Sequence, residues 1–201
     1  MGLQEEMDGE AVAAFLRDEA PALDFVVGGI HVRPHLFAQV AEAISQGYIT
    51  VSRSRGAGIY HADEDRLAVS LGGHGDGWKE LALHESIHAY CDIHSMRNDY
   101  LWEEATAYLA QTTYRFLRHS WWDNDWRGDW TADMRLLSAA ASVARANGLD
   151  HSSGVTLSRA DIQLVRDAVA AHPAYGAAPC AEDGVSSGHL WNYTPSSGLA
   201  S

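Results

Sequence analysis

The pattern His84-Glu85-x-x-His88 constrains this chain more than any other feature of its sequence. It lies within residues 81–90, an apolar run with helical spacing. Histidines four positions apart share one helix face, so His84 and His88 can direct both imidazoles at one metal ion. Glu85 projects about 100° round the helix from His84, which places it beside a metal-bound water. The pattern therefore predicts a metal site with Glu85 as general base.

The third ligand is expected downstream of His88, because a catalytic zinc site usually takes three protein ligands and leaves one position to water. The segment 101–111 is a second predicted helix, and its Glu104 resembles the glutamate ligand that gluzincin metallopeptidases carry in a Glu-x-x-Ala context, which makes it the best candidate. Ala107 follows three positions later and is small enough to let the two helices lie close together. Glu103 is the fallback, since neighbours on a helix differ by about 100° and a modest rotation would exchange them.

His94 is a competing third ligand, and it completes the spacing of the metzincin peptidases. In that family a glycine three residues after the second histidine breaks the helix, and Cys91 holds this place here. A residue other than glycine in a left-handed conformation costs on the order of 1 kcal/mol. The sequence therefore favours Glu104 over His94.

With Glu104 as ligand, residues 48–111 resemble the gluzincin branch of the zincin metallopeptidases. The resemblance implies Zn²⁺ held by His84, His88 and Glu104, and hydrolysis of a peptide bond in a peptide or protein substrate. Zinc would lower the pKa of a bound water from 15.7 to about 7, and Glu85 would take its proton and pass it to the leaving amine. The resemblance also implies an oxyanion-stabilising tyrosine or histidine, and no position in the sequence identifies it.

Two other functions fit the same residues. Two histidines and one carboxylate also form the facial triad of non-haem Fe(II) oxygenases. A non-catalytic zincin-like protein that binds a partner is the third possibility. Glu85 argues against it, because a purely structural metal has no use for an adjacent base.

The predicted fold class is α+β, in a zincin-like arrangement. β-rich segments at 48–52 and 66–71 precede the metal helix, expected at 78–93, and alternation in 66–71 predicts a strand with one covered face. A small mixed or antiparallel sheet would pack on that helix and on the glutamate-bearing helix at 99–117. Further helices follow toward the C-terminus.

The 201 residues, 46% of them hydrophobic, suffice for one compact domain. We expect that domain to span 1–172, followed by an Ala/Gly/Ser/Pro-rich tail at 173–201 that could dock on it. Asp8 is expected to cap the first helix, Pro34 to open the second and Ser158 to cap the last. The tryptophan-rich segment 119–130 could line a substrate cleft or a partner surface, and we expect it instead to fold inward as a lid on the core.

Charge and cysteine content exclude several classes of function. A net charge of -13 argues against nucleic acid or an anionic membrane as partner. No apolar run is long enough for a membrane span and the first residues are acidic, so a cytoplasmic location is expected. Only Cys91 and Cys180 are present, so we expect no disulfide framework and a buried, inert thiol at Cys91. Asp92, one turn past His88, could accept a hydrogen bond from a ligand imidazole or from a group on the neighbouring helix, or it could be a solvated charge.

Overall fold

The computed structural model describes residues 3–20, 23–54, 58–70, 77–96, 98–118, 132–149, 151 and 153–175. Within these residues the fold is mixed α+β, with six α-helices and two three-stranded sheets. The coarse fold class predicted from the sequence is therefore confirmed. The predictions for the tryptophan-rich segment 119–130, for Cys180 and for the tail beyond residue 175 lie outside the described residues.

The first sheet joins a hairpin to a strand from much later in the chain. Strand β1 (Phe25–Val27) turns through two glycines into β2 (Ile30–Val32), which pairs with it antiparallel. Strand β6 (Val155–Leu157) lies on the other side of β1 and runs parallel to it. The sequence predicts a short strand at 23–27, closed by Gly28 and Gly29, which corresponds to β1, and it predicts neither β2 nor β6.

The second sheet precedes the metal helix, as expected. It contains β3 (Thr50–Arg53), β4 (Ile59–His61) and β5 (Arg66–Val69) in the order β3-β5-β4, with β5 parallel to β3 and antiparallel to β4. Leu67, Ala68 and Val69 are all buried, so the expectation of one covered face on this strand was wrong. The physical reason is position, because a central strand packed on both sides buries successive residues whichever face they point to.

The helices carry most of the core. Helix α1 (Leu3–Ala14) continues as a π-helical turn over Phe15–Glu19, and the remaining helices are α2 (Pro34–Ser45), α3 (Gly77–Ile93), α4 (Tyr100–Arg118), α5 (Ala132–Ala146) and α6 (Arg159–Ala170). The largest fully buried side chains include Tyr114, Phe15, Phe25 and Phe37. Within the described residues, none of these helices combines the length and the apolar character needed to cross a membrane.

Two of the three predicted helix starts follow their expected signals. Pro34 opens α2, and Ser158 caps α6 through a capping box in which Asp161 binds back to the Ser158 backbone. Asp8 was predicted wrongly as an N-cap, because α1 already begins at Leu3. The buried Asp8 carboxylate instead accepts two hydrogen bonds from Arg53, at 2.6 and 2.8 Å, and so ties α1 to β3.

Candidate metal centre

Helix α3 carries a stripe of four polar side chains, one per helical turn, at positions 80, 84, 88 and 92. Glu80 pairs with Arg115, His84 with Gln111 and His88 with Glu103. These partners follow each other in reverse order along α4, so the two helices are antiparallel. Each polar side chain of the stripe has a hydrogen-bonding or ion-pair partner on a neighbouring element, which allows a largely buried helix to carry so many polar groups.

The three predicted ligands come together where this stripe meets α4. The Nε2 atom of His84 lies 3.4 Å from Oε2 of Glu104, and the Nε2 atom of His88 lies 3.5 Å from Oε1 of the same residue. One ligand atom from each of the three residues lies within 4.8 Å of the others. The helix spacing and the glutamate position read from the sequence are therefore both consistent with one shared centre.

The outer nitrogens of both imidazoles are held by α4. The Nδ1 atom of His84 is 3.2 Å from Oε1 of Gln111, and the Nδ1 atom of His88 is 2.7 Å from Oε1 of Glu103. Each of these oxygens accepts a hydrogen bond from an Nδ1–H group, so Nε2, the atom that faces Glu104, is the nitrogen of each ring that could bind a metal. Glu103 therefore orients His88 and does not join the group of three.

The donor set fits a tetrahedral cation. Zinc binds histidine nitrogen and carboxylate oxygen at about 2.0–2.1 Å, which separates neighbouring ligand atoms by about 3.4 Å in a tetrahedron. The Nε2 atom of His84 lies 3.4 Å from one oxygen of Glu104 and that of His88 lies 3.5 Å from the other oxygen, so each histidine is separated from the carboxylate by about this distance. Oε2 of Glu104 is buried and accepts no hydrogen bond, and such an atom loses its hydration without compensation unless a cation or proton meets it.

The charges of the metal-free cluster are strongly coupled. Burial alone would lower the pKa of His88, but the carboxylates of Glu104, Glu103 and Glu85 outweigh it and raise this pKa to about 10. Burial would raise the pKa of Glu104, but His88 and His84 oppose it and lower this pKa to about 2. Without a metal, His88 therefore carries a proton at neutral pH and Glu104 is ionised.

Glu85 lies beside the candidate ligands and is fixed by the backbone of β4. The backbone N–H of Tyr60 donates to Oε2 of Glu85 at 2.8 Å. Gly58 lies against the same carboxylate: a Cβ atom at this position would lie 2.9 Å from Oε1 of Glu85 and 3.0 Å from its Cγ. A glycine at position 58 thus permits the close approach of β4 to the predicted base.

The cluster opens into a cleft of about 330 Å³. Glu85 and the candidate ligands line it, together with residues of β4 and the side chains of Tyr60, Tyr100 and Tyr175. Burial raises the pKa of all three tyrosines, and nearby carboxylates raise it further. Their hydroxyls therefore keep their protons and can act as hydrogen-bond donors.

His94 lies away from this group. Helix α3 runs on through Cys91 to Ile93, so it does not break at Cys91, where the metzincin spacing needs a turn. The Nε2 atom of His94 lies 2.8 Å from Oε1 of Gln39 on α2, and its ring packs against Tyr90. His94 is absent from the cluster that brings the other candidates together within the described residues.

The two remaining predictions on α3 have clear outcomes. Cys91 is a buried free thiol, as expected, and burial raises its pKa well above the usual range. Asp92 is buried and accepts a hydrogen bond from the Tyr60 hydroxyl at 2.9 Å. It therefore ties α3 to β4: the alternative of a solvated charge was wrong, and the observed partner is a strand residue rather than a ligand imidazole or a group on the neighbouring helix.

Three participants in the site were missed by sequence reasoning: Gln111, Tyr100 and Tyr175. Gln111 lies seven residues after Glu104, two helical turns along the same face, so the helical period could have indicated it. Tyr100 stands four residues before Glu104 and could have been found in the same way. Tyr175 follows α6 and has no spacing relationship to the metal helix.

Comparison with protein-family models, curated proteins and solved structures gave no match. The interpretation of this site therefore depends on its own geometry and chemistry.

Proposed function

We propose that the protein is a zinc-dependent hydrolase that cleaves peptide bonds, with His84, His88 and Glu104 as metal ligands and Glu85 as general base. In this proposal the fold is zincin-like and of the gluzincin type, with β4, α3 and α4 enclosing the site. Two imidazoles one helical turn apart and a glutamate from the next helix are the donors expected for that arrangement.

One observation carries the proposal: Oε2 of Glu104 is buried without a hydrogen bond, 3.4 Å from Nε2 of His84. An acceptor in this state is costly to bury, and a divalent cation shared with both histidines would compensate it. The outer hydrogen bonds to Gln111 and Glu103 add support, because such partners fix the tautomer and orientation of ligand imidazoles.

Glu85 is placed to move a proton in the reaction. When bound, zinc would supply Lewis-acid polarisation of a carbonyl group and a water of lowered pKa. The Tyr60 N–H occupies Oε2 of Glu85, which leaves Oε1 to accept a proton from water and to return it to the leaving amine nitrogen. Burial of this carboxylate beside the ligands keeps it within the shielded part of the cleft.

The position of β4 supports an extended peptide as substrate. Among the described strands β4 pairs only with β5, so it forms an edge of the second sheet. Its residues Ile59 and Tyr60 also line the cleft. An extended chain can add to a sheet edge through main-chain hydrogen bonds, and this edge would carry it past the candidate ligands.

Zinc content and peptide cleavage test the proposal together. The purified protein should carry about one zinc per chain and cleave members of a peptide library, with cleavage abolished by a chelator. Glu85→Gln should keep zinc and lose hydrolysis by about 10²–10⁴-fold, because it removes the base without removing a ligand. Glu10→Gln makes the same chemical change at an exposed glutamate and serves as the control.

Zinc occupancy near zero under metal-replete conditions would contradict the proposal, and so would full activity in Glu85→Gln. Metal analysis and an anaerobic assay separate the hydrolase from an Fe(II) oxygenase built on the same ligands. Hydrolysis proceeds without oxygen, so activity that requires both iron and oxygen would establish the oxygenase instead.

A further inference from the structure

Strand β4 carries the N–H group that fixes the predicted base, yet it is a short edge strand. It is three residues long, none of its side chains is buried, and among the described strands it pairs only with β5. Hydrogen bonds to β5 set its place within the sheet but not its distance from α3. The Tyr60 N–H nevertheless meets Oε2 of Glu85 at 2.8 Å, so β4 needs a further contact with α3.

The Tyr60 side chain provides that contact. Its hydroxyl donates to Oδ2 of Asp92 at 2.9 Å, while its backbone N–H donates to Glu85. Asp92 follows Glu85 by seven residues, about two helical turns, so the two carboxylates lie on the same side of α3. Tyr60 therefore lies along α3 and is hydrogen-bonded to it at both ends.

Asp92 is the closer of two acceptors beside this hydroxyl. Oδ1 of Asp65 lies 3.5 Å from the same oxygen, but a phenol has a single proton to donate. The shorter distance assigns that proton to Asp92. Asp65 belongs to the turn between β4 and β5, so donation to Asp65 would hold Tyr60 to its own sheet and not to α3.

We propose that Asp92 is a positioning residue: through Tyr60, it sets the orientation of Glu85 for proton transfer. The proposal rests on the proposed function, because it concerns the base of that reaction. Asp92 lines the cleft, but it is not one of the three candidate ligands. Its hydrogen bond to the Tyr60 hydroxyl keeps β4 against α3, and this places the Tyr60 N–H at Glu85.

The orientation of Glu85 affects the reaction because its two oxygens have different tasks. The Tyr60 N–H engages Oε2, which leaves Oε1 for the proton of the attacking water. If β4 moves away from α3, that hydrogen bond is lost and the carboxylate can rotate. A catalytic group misplaced by about 1 Å can lower the rate by about 100-fold. Loss of Asp92 should therefore slow proton transfer without removing the base or a ligand.

The amide proton of Tyr60 reports on this link without a known substrate. Because it donates to a carboxylate, its NMR resonance should lie downfield and its exchange with solvent should be slow. In Asp92→Ala the resonance should move toward its position in Glu85→Ala, and exchange should be at least about tenfold faster. Asp92→Asn keeps an oxygen that can accept from the hydroxyl, so it should restore most of the wild-type behaviour.

Two further variants define the path of the effect. Asp65→Asn is the control, because it alters the more distant carboxylate beside the same hydroxyl and asparagine tolerates the positive φ of 47° at this position. It should leave the Tyr60 amide unchanged. Tyr60→Phe removes the hydroxyl, keeps the backbone N–H and serves where Asp92→Ala fails to fold. Amide exchange at position 60 should become faster, and adding Asp92→Ala should cause no further change.

Hydrolysis of a peptide taken from the library assay gives the second measurement. Asp92→Ala should lower kcat by about 10–100-fold with little change in KM and unchanged zinc stoichiometry, and Asp92→Asn should recover most of the lost rate. An unchanged Tyr60 amide, an unchanged kcat or a loss of zinc in Asp92→Ala would overturn the role of Asp92 and leave the hydrolase intact. A wild-type protein that binds no zinc and cleaves no peptide would overturn the proposed function, and with it any role of Asp92 in catalysis.

Discussion

Glu103 and Glu104 are neighbours on α4, yet their carboxylates meet different atoms of the site. Glu104 faces the Nε2 atoms of both histidines, whereas Glu103 binds Nδ1 of His88 from behind. The turn of about 100° between adjacent helical residues produces this division. One glutamate can thus complete a donor set while the next fixes the orientation of a ligand.

Substitution at these two positions should separate their roles. Glu104→Ala removes one of three donors and should abolish stoichiometric zinc binding. Glu103→Ala should keep the stoichiometry and weaken zinc affinity by about 10–100-fold, as expected for loss of an outer partner. Titration with a competing chelator measures both values, with His94→Ala as control. A larger loss in Glu103→Ala than in Glu104→Ala would move the ligand by one position.

Gly58 provides a test of the predicted base that leaves Glu85 itself unchanged. In Gly58→Ala the new Cβ would lie 2.9 Å from Oε1 of Glu85, so the carboxylate must move. We expect zinc to remain bound and hydrolysis to fall by about 100-fold, the cost of misplacing a catalytic group by about 1 Å. Gly77→Ala is the matched control, because no atom lies within 4 Å of a Cβ there. Equal activity in both variants would contradict the role given to Gly58.

At the level of single residues, helical spacing predicted those parts of the site that lie on one helix or on two consecutive helices. His84, Glu85 and His88 follow from one periodicity, and Glu104 from the next helix. Tyr175 could not be found in this way, because its position depends on how the segment after α6 returns to the cleft. Tertiary packing alone determines that contact.

At the level of elements, the pairing of α3 with α4 depends on polar contacts that repeat at each helical turn. Besides the histidines, Glu80 near the start of α3 pairs with Arg115 near the end of α4. Glu80 is buried and Arg115 is largely so, which makes this ion pair a second fixed point for the helix spacing. The two fixed points lie on the same face of α3 and therefore set the register of the helix pair.

Arg115→Met should destabilise the protein without altering its zinc stoichiometry. The substitution takes the guanidinium away from a buried carboxylate, which costs about 3–5 kcal/mol when the remaining charge is well buried and less with partial exposure. Denaturant unfolding should show the loss. Adding Glu80→Met to this variant should recover much of the lost free energy of unfolding, because an apolar pair then replaces an isolated charge. No loss of stability in Arg115→Met would contradict this account.

Element prediction succeeded where a segment was long or clearly capped, as at Pro34 and Ser158. It failed for β2, although Gly28 and Gly29 form a two-residue turn between apolar runs and both have positive φ, at 55° and 98°. That pattern is a recognisable hairpin signal. It also failed for β6, where three residues pair with a partner far away in the sequence, and no local pattern reports such a pairing.

At the level of the whole molecule, the proposed metal site would couple the protonation of His88 to both metal binding and folding. In the metal-free protein the pKa of His88 rises from an ordinary value of 6.5 to about 10. A raised pKa in the folded state contributes stability that is complete below the unfolded value and is lost as pH rises through the folded one. A metal bound at Nε2 requires this nitrogen to be unprotonated, so metal binding would become more favourable as pH rises.

Between about pH 6 and about pH 8.5, the stability of the metal-free protein and the stabilisation by zinc should therefore change in opposite directions. The metal-free protein should be less stable at the higher pH, because between these two values His88 loses its proton in the unfolded chain but keeps it in the folded one, so folding must take up a proton. The increase in Tm caused by saturating zinc should instead be larger at the higher pH. An increase in Tm with zinc that is equal at both pH values would show that His88 does not exchange a proton for the metal. His88→Ala is the control: it should reduce the pH dependence of the metal-free stability and abolish the stabilisation by zinc, because it removes a ligand.

The parallel pairing of β6 with β1 has a consequence for synthesis on the ribosome. Strand β1 pairs with β6, which is translated much later: Phe25, Val26 and Val27 pair with Val155, Thr156 and Leu157. One edge of the hairpin formed by β1 and β2 therefore has no partner strand while most of the polypeptide is translated. Helices α3 and α4 emerge well before that edge is paired. In a nascent chain His84, His88 and Glu104 can therefore come together before β6 completes the first sheet. A translational pause ahead of Val155 would leave the edge of β1 exposed, and an unpaired strand edge tends to associate with other chains.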